Sequence, residues 1–338
     1  MNPNDHVNMA QSTNDTFPTA LHIATLLALQ PLLNVLEDLS KGFSKLSRKY
    51  RGVIKSSRTH LQDALPVTIA QEFGAYATVI RNIIVQLRIR SRLLEELALG
   101  GTVVGTGVNA HEQFKKIAIS ELSKISGLRL KTARNTFEAL QSRNALAAIS
   151  SALKELALEL IRIANDLRLL SSGPTTGLSE IELPPVQPGS SIMPDKVNPV
   201  MAECLNTIAL EVVGNDLTPS LAVQAGQLDL NVMMPVMMYN ILQSIQLFTN
   251  FLPVFTGKCV EGIAVDKKRC ASYVGNNPSL AVFLSPYIGY MEASKIAKLA
   301  LEERRSIKEI ALEKGILTTE QAEEIFSPDF ILGKRRRK

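Results

Sequence analysis

Apolar residues recur every three or four positions along most of the chain, which is the spacing that places them on one face of an α-helix. The longest runs put leucines and isoleucines in this register across residues 26–39 and 153–170. Few alternating β-branched runs compete with them, so we predict an all-α protein built round a long central helix bundle. The predicted long helices cover residues 17–50, 69–98, 135–172, 198–224 and 231–256.

The breaks between these helices are short and rich in glycine, proline and small polar residues, at 56–66, 100–109 and 171–191. Functional side chains are expected there, because such loops turn sharply and expose backbone groups. After Cys259 the pattern changes to shorter helices, predicted at 266–275, 291–303, 306–314 and 318–326. We therefore predict a helical-bundle domain over 1–258, a small C-terminal helical domain over 259–333 and a basic tail over 334–338.

Composition places the chain among ordinary folded proteins, since 338 residues with 46% hydrophobic content can bury a large core. The net charge of +5 comes from the last five residues, which are all lysine or arginine, so the rest of the chain is neutral. A solvated terminal charge run explains this tail without a nucleic-acid partner, and no nucleic-acid partner is predicted.

The cysteines and the first twenty residues indicate the cellular compartment of the protein. Cys204, Cys259 and Cys270 form no CxxC pair, so neither a metal site nor a disulfide framework is predicted. Residues 1–20 are polar and lack the apolar core of a signal peptide, which favours a cytoplasmic protein.

Residues 232–256 contain no charged side chain and are long enough to raise the question of a membrane span. Pro235 and the amides Asn240, Gln243, Gln246 and Asn250 occur within this stretch. Spaced amides are costly in lipid but can be satisfied by surrounding protein. We therefore predict a core helix packed on all sides, in a bundle or an oligomer, and no membrane partner.

The segment GSSIMPDKVNP at 189–199 concentrates the most chemistry. Glycine and proline bracket two hydroxyls, Ser190 and Ser191, together with Lys196 and Asn198, in a loop that precedes a helix. Free backbone N–H groups at the start of a helix favour an anion. From spacing alone, a capping serine followed by a surface lysine explains the segment equally well.

This segment closely resembles the GSSxxPxKxNP signature of the aspartase/fumarase superfamily. Three further segments resemble the other signature regions of that family, in the expected order: NMAQSTND at 8–15, RTHLQDA at 58–64 and GGTVVGTGVN at 100–109. The resemblance implies a helical homotetrameric lyase whose active sites are shared between subunits. It implies a small dicarboxylate substrate, a reaction that needs no cofactor and no metal ligands.

Carried onto matching positions, the resemblance implies that Ser190 is the general base that removes a proton next to a carboxylate. It implies that Lys196 and Asn198 hold the carboxylate whose negative charge then grows, and that His60 pairs with Glu203. The catalytic residues implied are therefore Ser190, His60, Lys196 and Glu203. By itself a histidine such as His60 would more often be structural. The resemblance also implies substrate contacts from Ser12, Thr13, Asn14, Thr59, His60, Ser191, Lys196 and Asn198.

The family contains enzymes that release ammonia from aspartate and enzymes that release water from malate. LPPVQP at 183–188, NPVM at 198–201 and QAGQLDLN at 224–231 look more like aspartases, whereas DHVNM at 5–9 looks like fumarases. We therefore expect aspartate ammonia-lyase activity, with class II fumarate hydratase as the alternative.

Some features depart from the family pattern. The chain begins within the second motif region, so we expect about the first quarter of a full-length member to be absent. Asp195 replaces a small residue, often glycine, and Thr175 replaces a common arginine. These departures keep a second alternative open, which is a truncated helical oligomer without catalytic activity.

Overall fold

The computed structural model of the chain describes residues 1–333, so the predicted basic tail at 334–338 lies outside the described residues. Helices make up 66% of the structure, which confirms the all-α prediction. The longer helices are α1 (Thr13–Lys49), α2 (Ile69–Ser91), α3 (Phe114–Ser126), α5 (Asn144–Leu170), α6 (Val200–Gln224), α7 (Met234–Lys258) and α9 (Ser285–Glu303). The shorter ones are α4 (Thr136–Gln141), α8 (Lys267–Gly275), α10 (Ile307–Glu313), α11 (Thr319–Ile325) and α12 (Pro328–Ile331).

The described residues also form short strands, paired two by two. They are β1 (Ile54–Thr59) with β2 (Gln62–Thr68), β3 (Glu96–Leu97) with β4 (Lys131–Thr132), and β5 (Ile181–Glu182) with β6 (Ala264–Val265). The break predicted at 56–66 is therefore part of an antiparallel hairpin rather than an irregular loop.

Two predicted helices were wrong in extent. The helix predicted over 69–98 ends at Ser91, because the chain passes through a 3-10 turn and Glu96 becomes extended to pair with Lys131. The helix predicted over 135–172 is divided between Gln141 and Asn144 into α4 and α5. At that break the buried Arg143 guanidinium donates to three carbonyl oxygens at the end of α4, those of Ala139, Leu140 and Ser142.

The chain forms two compact units. The first contains Met1–Gly42, Ala77–Arg168 and Pro185–Gly262, and the second contains Phe43–Tyr76, Leu169–Pro184 and 263–333. Most of the predicted C-terminal helical domain falls in the second unit, together with the β1–β2 hairpin. Compact packing alone does not define a folding domain, so the predicted boundary at residue 258 stays a prediction.

Polar contacts show how the helices of the first unit pair. Asp216 on α6 accepts from Ser150 and Lys154 on α5, and farther along Asn206 of α6 donates to Asn165 of α5. The order of these contacts makes α5 and α6 antiparallel. Aliphatic side chains fill the rest of α5, and those fully buried include Leu146, Ile149, Leu156, Ala157, Ile163, Ala164 and Leu167.

Helix α7 only partly fits the prediction that it packs on all sides. Met237, Phe248 and Phe255 are fully buried, whereas Tyr239 is 64% exposed. A groove beside this exposed side is lined by Ile208 of α6 and by Gln243, Gln246, Leu247, Asn250 and Phe251 of α7. Within one chain, therefore, one face of α7 is core and the other is uncovered.

One helix among the described residues, α1, is long and apolar enough to cross a membrane by length and composition. The core helix of a folded protein passes the same test. Leu32, Leu36 and Leu39 on α1 are fully buried within the fold, which is the behaviour of a core helix.

The His22 ring on α1 makes the folding stability of the protein depend on pH. Its Nδ1 lies 3.2 Å from the carbonyl oxygen of Leu94 and 3.1 Å from that of Glu96, so Nδ1 carries the proton and donates. Burial, followed by the positive charge of Arg143, lowers the pKa of His22 from 6.5 to about 4. The folded protein therefore holds this ring neutral at pH values where the unfolded chain protonates it.

We predict that stability falls as the pH drops from about 6.5 towards 4, because the unfolded chain then binds the extra proton. The stabilisation is complete above the unfolded pKa, and about 3 kcal/mol of it should be lost by the folded pKa. Urea unfolding of wild type and His22→Gln at several pH values tests this. The variant should show a flatter dependence, whereas the exposed control His111→Gln should follow wild type.

Candidate active site

The signature loop at 189–198 is closed by two hydrogen bonds. The Gly189 N–H donates to the Lys196 carbonyl oxygen at 2.8 Å, and the Asn198 side-chain amide donates to the Gly189 carbonyl oxygen at 2.9 Å. A Cβ atom at position 189 would lie 2.1 Å from the Lys196 oxygen, so this closure requires glycine. Asn198 thus closes the loop that carries Ser190, Ser191 and Lys196.

Ser190 occupies a cluster of backbone donors inside this loop. Its Oγ accepts from the N–H groups of Ile192 at 3.1 Å and of Met193 at 2.9 Å. Donors aimed at one oxygen stabilise negative charge on it. The arrangement suits a hydroxyl that must release its proton, and the side chain of Ser190 is half-buried while those of Ser191 and Lys196 are exposed.

The conformation of Asp195 explains why a glycine suits its position. Asp195 has a φ of 60°, in the left-handed region that glycine adopts freely. Aspartate and asparagine are the side-chain-bearing residues that tolerate this region best. The substitution therefore keeps the turn of the loop but places a carboxylate directly before Lys196.

Ser12, Thr13 and Asn14 lie at the start of α1. Ser12 caps the helix, since its Oγ accepts from the Asn14 N–H at 3.2 Å and its own N–H donates to Asp15 Oδ1 at 3.0 Å. The amide of Asn14 donates to the carbonyl oxygen of Val103 at 2.8 Å. The start of α1 is thereby joined to the glycine-rich loop at 100–109.

Asp15 is the stronger link between these two segments. Its carboxylate is completely buried, and Oδ2 accepts from the N–H groups of Gly100 and Thr102, each at 2.9 Å. Gly100 has a φ of 83°, and a Cβ there would lie 2.7 Å from the Lys115 side chain, so this approach also requires glycine. One carboxylate thus fixes the helix start that carries Ser12, Thr13 and Asn14.

Thr59 and His60 lie in the second unit, at the tip of the β1–β2 hairpin. Thr59 pairs with Gln62, so His60 and Leu61 alone form the turn. Both have positive φ, 55° for His60 and 60° for Leu61. A two-residue turn of this kind is normally made by asparagine and glycine, and bulkier residues hold it only under strain. The turn presents the His60 ring at an exposed position.

Glu203, on the first turn of α6, lies 3.8 Å from the guanidinium of Arg168. Its predicted pairing with His60 stays a prediction, since the two residues belong to different units. Among the described residues, no hydrogen bond joins the Ser190 loop to Ser12, Thr13 or Asn14. The predicted site residues thus lie on separate segments of the described chain.

No group of three or more His, Cys, Asp or Glu side chains within residues 1–333 is arranged to hold a metal ion. Burial raises the pKa of the Cys259 and Cys270 thiols to about 12, so both are protonated at neutral pH. These thiols are therefore poor candidates for nucleophiles or metal ligands.

Comparison with known sequences decides the family. The family described as Lyase matches residues 1–214, and the family described as Fumarase C C-terminus matches residues 280–332. The chain belongs to the aspartase/fumarase superfamily. An aspartate ammonia-lyase from Bacillus subtilis is 45% identical over 328 residues, which cover 97% of this chain and 69% of that protein. A class II fumarate hydratase from Helicobacter pylori is 43% identical over 336 residues, covering 99% of this chain and 73% of that protein.

Solved structures of this superfamily have the same fold. The fumarate lyase:delta crystallin from Brucella melitensis, bound to cobalt, superposes with a TM-score of 0.95 at 44% identity, covering 98% of this chain and 72% of that one. The class II fumarase from Schistosoma mansoni superposes with a TM-score of 0.95 at 35% identity, covering 99% of this chain and 74% of that one. As a member of this superfamily, the chain is a lyase.

Sequence reasoning missed Asp15 as the residue that organises the superfamily's second signature region. The signal was present, because an acidic residue three positions after a capping serine commonly accepts from that serine's N–H. The contacts of Asp15 with Gly100 and Thr102 had no such signal, since they join residues more than eighty positions apart.

We predict that Asp15→Ala lowers the free energy of unfolding by about 3 kcal/mol, because it leaves three N–H groups, two buried and one partly buried, without their charged acceptor. Urea unfolding measures this change. Asp38→Ala is the matched control on the same helix, since Asp38 forms an exposed pair with Lys41. That control should cost about 0.5 kcal/mol or less, and an equally small loss for Asp15→Ala would contradict the role given to its carboxylate.

Proposed function

We propose that the protein is an aspartate ammonia-lyase that converts L-aspartate to fumarate and ammonia by anti-elimination. The observation that carries this proposal is the environment of Ser190, whose Oγ accepts from two backbone N–H groups in a loop that also carries Lys196 and Asn198. The aspartate ammonia-lyases of Bacillus subtilis and Helicobacter pylori, at 45% and 46% identity, support the choice of substrate.

In the proposed mechanism, Ser190 acts as the general base. Its alkoxide removes a proton from the carbon next to one carboxylate, and the electron pair of that C–H bond moves into the carboxylate to give an aci-carboxylate. Lys196 and Asn198 stabilise the doubly negative group that results. The electron pair then returns to form the double bond of fumarate, and the C–N bond on the adjoining carbon breaks to release ammonia. No cofactor takes part.

The remaining candidate residues bind and orient the substrate. Ser12, Thr13, Asn14, Thr59 and Ser191 offer hydroxyl and amide groups, which bind carboxylates without adding charge. His60, paired with Glu203, also belongs to the proposed catalytic residues and supplies a titratable ring. Among the described residues the Ser190 loop makes no hydrogen bond with Ser12, Thr13 or Asn14, which favours a site that is completed when chains assemble.

We also propose that the protein is a cytoplasmic homotetramer with active sites shared between subunits. The uncovered face of α7 supports this, because Tyr239 is 64% exposed and the adjacent groove is lined by apolar and amide side chains without charge. Such a surface suits burial against the same helix of another chain. A lone chain should then be inactive.

Class II fumarate hydratase activity is the second candidate. It is favoured by the 43% identity to the Helicobacter pylori fumarate hydratase, which is close to the identity with the aspartate ammonia-lyases, and by the fumarase-like residues at 5–9. The two reactions share the base and the aci-carboxylate and differ only in whether ammonia or water leaves.

We predict that the purified oligomer forms fumarate from L-aspartate and not from L-malate, as followed by the ultraviolet absorbance of fumarate. The mass of the assembly, measured on the same preparation, should equal four chains. Fumarate from malate alone would move the assignment to fumarate hydratase. If a well-folded oligomer forms no fumarate from either substrate, that result would contradict a catalytic role for this chain by itself.

We predict that Ser190→Ala lowers kcat by at least about a hundredfold, because it removes the general base, and leaves the oligomer intact. Ser191→Ala is the matched control on the adjacent residue. As a substrate contact, Ser191 should change KM more than kcat. Turnover by Ser190→Ala close to that of wild type would exclude Ser190 as the base.

A further inference from the structure

A buried group of charges lies at the base of the β1–β2 hairpin, within the second unit. The Lys55 ammonium is 2% exposed and lies 2.9 Å from carboxylate oxygens of both Glu72 and Glu180. The completely buried Glu180 also accepts from Arg58 Nη1 at 2.9 Å. The two cations and two carboxylates balance, so the group carries no net charge. We refer to Glu72, Lys55, Glu180 and Arg58 as the charge brace.

The charge brace holds β1 at two points. Lys55 and Arg58 are three residues apart on this strand, and the pairing of β1 with β2 is irregular between Ser56 and Arg58. A bulge of this kind increases the local twist of the strands. Although regular alternation would direct residues 55 and 58 to opposite faces, both reach the carboxylate of Glu180.

Glu180 is itself fixed by its backbone. Its N–H donates to the Leu170 carbonyl oxygen at 2.9 Å, and its own carbonyl oxygen accepts from the Asp266 N–H at 3.0 Å. The next residue, Ile181, pairs with Val265 in the β5–β6 ladder. The carboxylate that holds Arg58 therefore projects from a segment whose backbone is hydrogen-bonded to the end of α5 and to β6.

Arg58 is the last residue of the charge brace before the turn. Its guanidinium lies over the ring of Tyr273, 5.3 Å from the centroid, and its side chain is 14% exposed. Thr59, His60 and Leu61 follow, and all three are exposed. A strained turn persists only where the surrounding structure determines its conformation. Among the described residues, the side-chain hydrogen bonds and ion pairs that hold the hairpin lie at Arg58 and nearer its base.

We propose that Arg58 and Glu180 are positioning residues that hold the Thr59–His60 turn in the conformation needed for catalysis. The proposal rests on the proposed function, in which Thr59 contacts the substrate and His60 is both a substrate contact and a catalytic residue. Arg58 does not touch the reacting atoms in this scheme. It fixes the strand end from which the turn projects.

The test compares Arg58→Met with Arg58→Lys in the purified protein. Arg58→Met removes the ion pair with Glu180 but leaves Lys55 2.9 Å from that carboxylate, and the other carboxylate of the group, Glu72, is partly exposed to solvent, so folding should survive. We expect kcat with L-aspartate to fall about 10- to 100-fold, with KM changed by less than about threefold. Arg58→Lys keeps the positive charge and should recover part of this loss.

Amide hydrogen exchange gives a readout that does not depend on activity. Arg58→Met should accelerate exchange at residues 59–62 and leave the exchange of the buried helices unchanged. The matched control is Arg90→Met, since Arg90 is 25% exposed and contacts both carboxylate oxygens of Glu155 at 2.9 Å in the first unit. This control should leave both kcat and the exchange of residues 59–62 unchanged.

The proposal is overturned if Arg58→Met leaves exchange at residues 59–62 unchanged, or if kcat falls only as far as the folded fraction does. If wild type converts neither aspartate nor malate, the proposed function fails, and the exchange measurement still decides whether Arg58 positions the turn. Equal losses of kcat in Arg58→Met and Arg90→Met would also overturn it, by showing a general effect of lost ion pairs.

Discussion

The carboxylate of Asp15 joins two segments that are distant in the chain. It accepts from the N–H of Ser12 at the start of α1 and from those of Gly100 and Thr102 in the glycine-rich loop. A completely buried carboxylate is tolerated only when donors replace its hydration, and here three backbone groups do so. Because backbone groups supply all three contacts, these hydrogen bonds do not depend on the side chains of Ser12 and Thr102.

The two units stabilise their candidate residues by different means. In the first unit, backbone N–H groups surround Ser190 and Asp15, and close approach at Gly189 and Gly100 makes this possible. In the second unit, paired side-chain charges hold the hairpin from its base. Backbone donors suit an oxygen that gains charge, because they are already oriented before the reaction begins. Long ionic side chains suit the support of a strand at a distance from the reacting atoms.

The sequence predicted the helices well wherever their periodicity was uninterrupted, and it failed where distant contacts decide the backbone. Leucines continue in helical register past Ser91, yet the pairing of Glu96 with Lys131 ends that helix. The β1–β2 hairpin likewise could not be predicted from the sequence, since its turn contains neither asparagine nor glycine. The predicted site residues came from motif resemblance, which proposed a role for Ser190 but none for Asp15. Motifs report residue types in order along the chain, whereas support from Asp15 depends on which segments meet in space.

The His60–Leu61 turn also bears on how this protein would respond to laboratory selection. A turn that forces two bulky side chains to positive φ is less stable than the same turn built from asparagine and glycine. A library screened for thermal resistance alone would therefore favour replacement of His60, the side chain that the proposed chemistry needs. Replacement of His60 should raise thermal stability and lower turnover, so selection for both properties together should retain the strained turn.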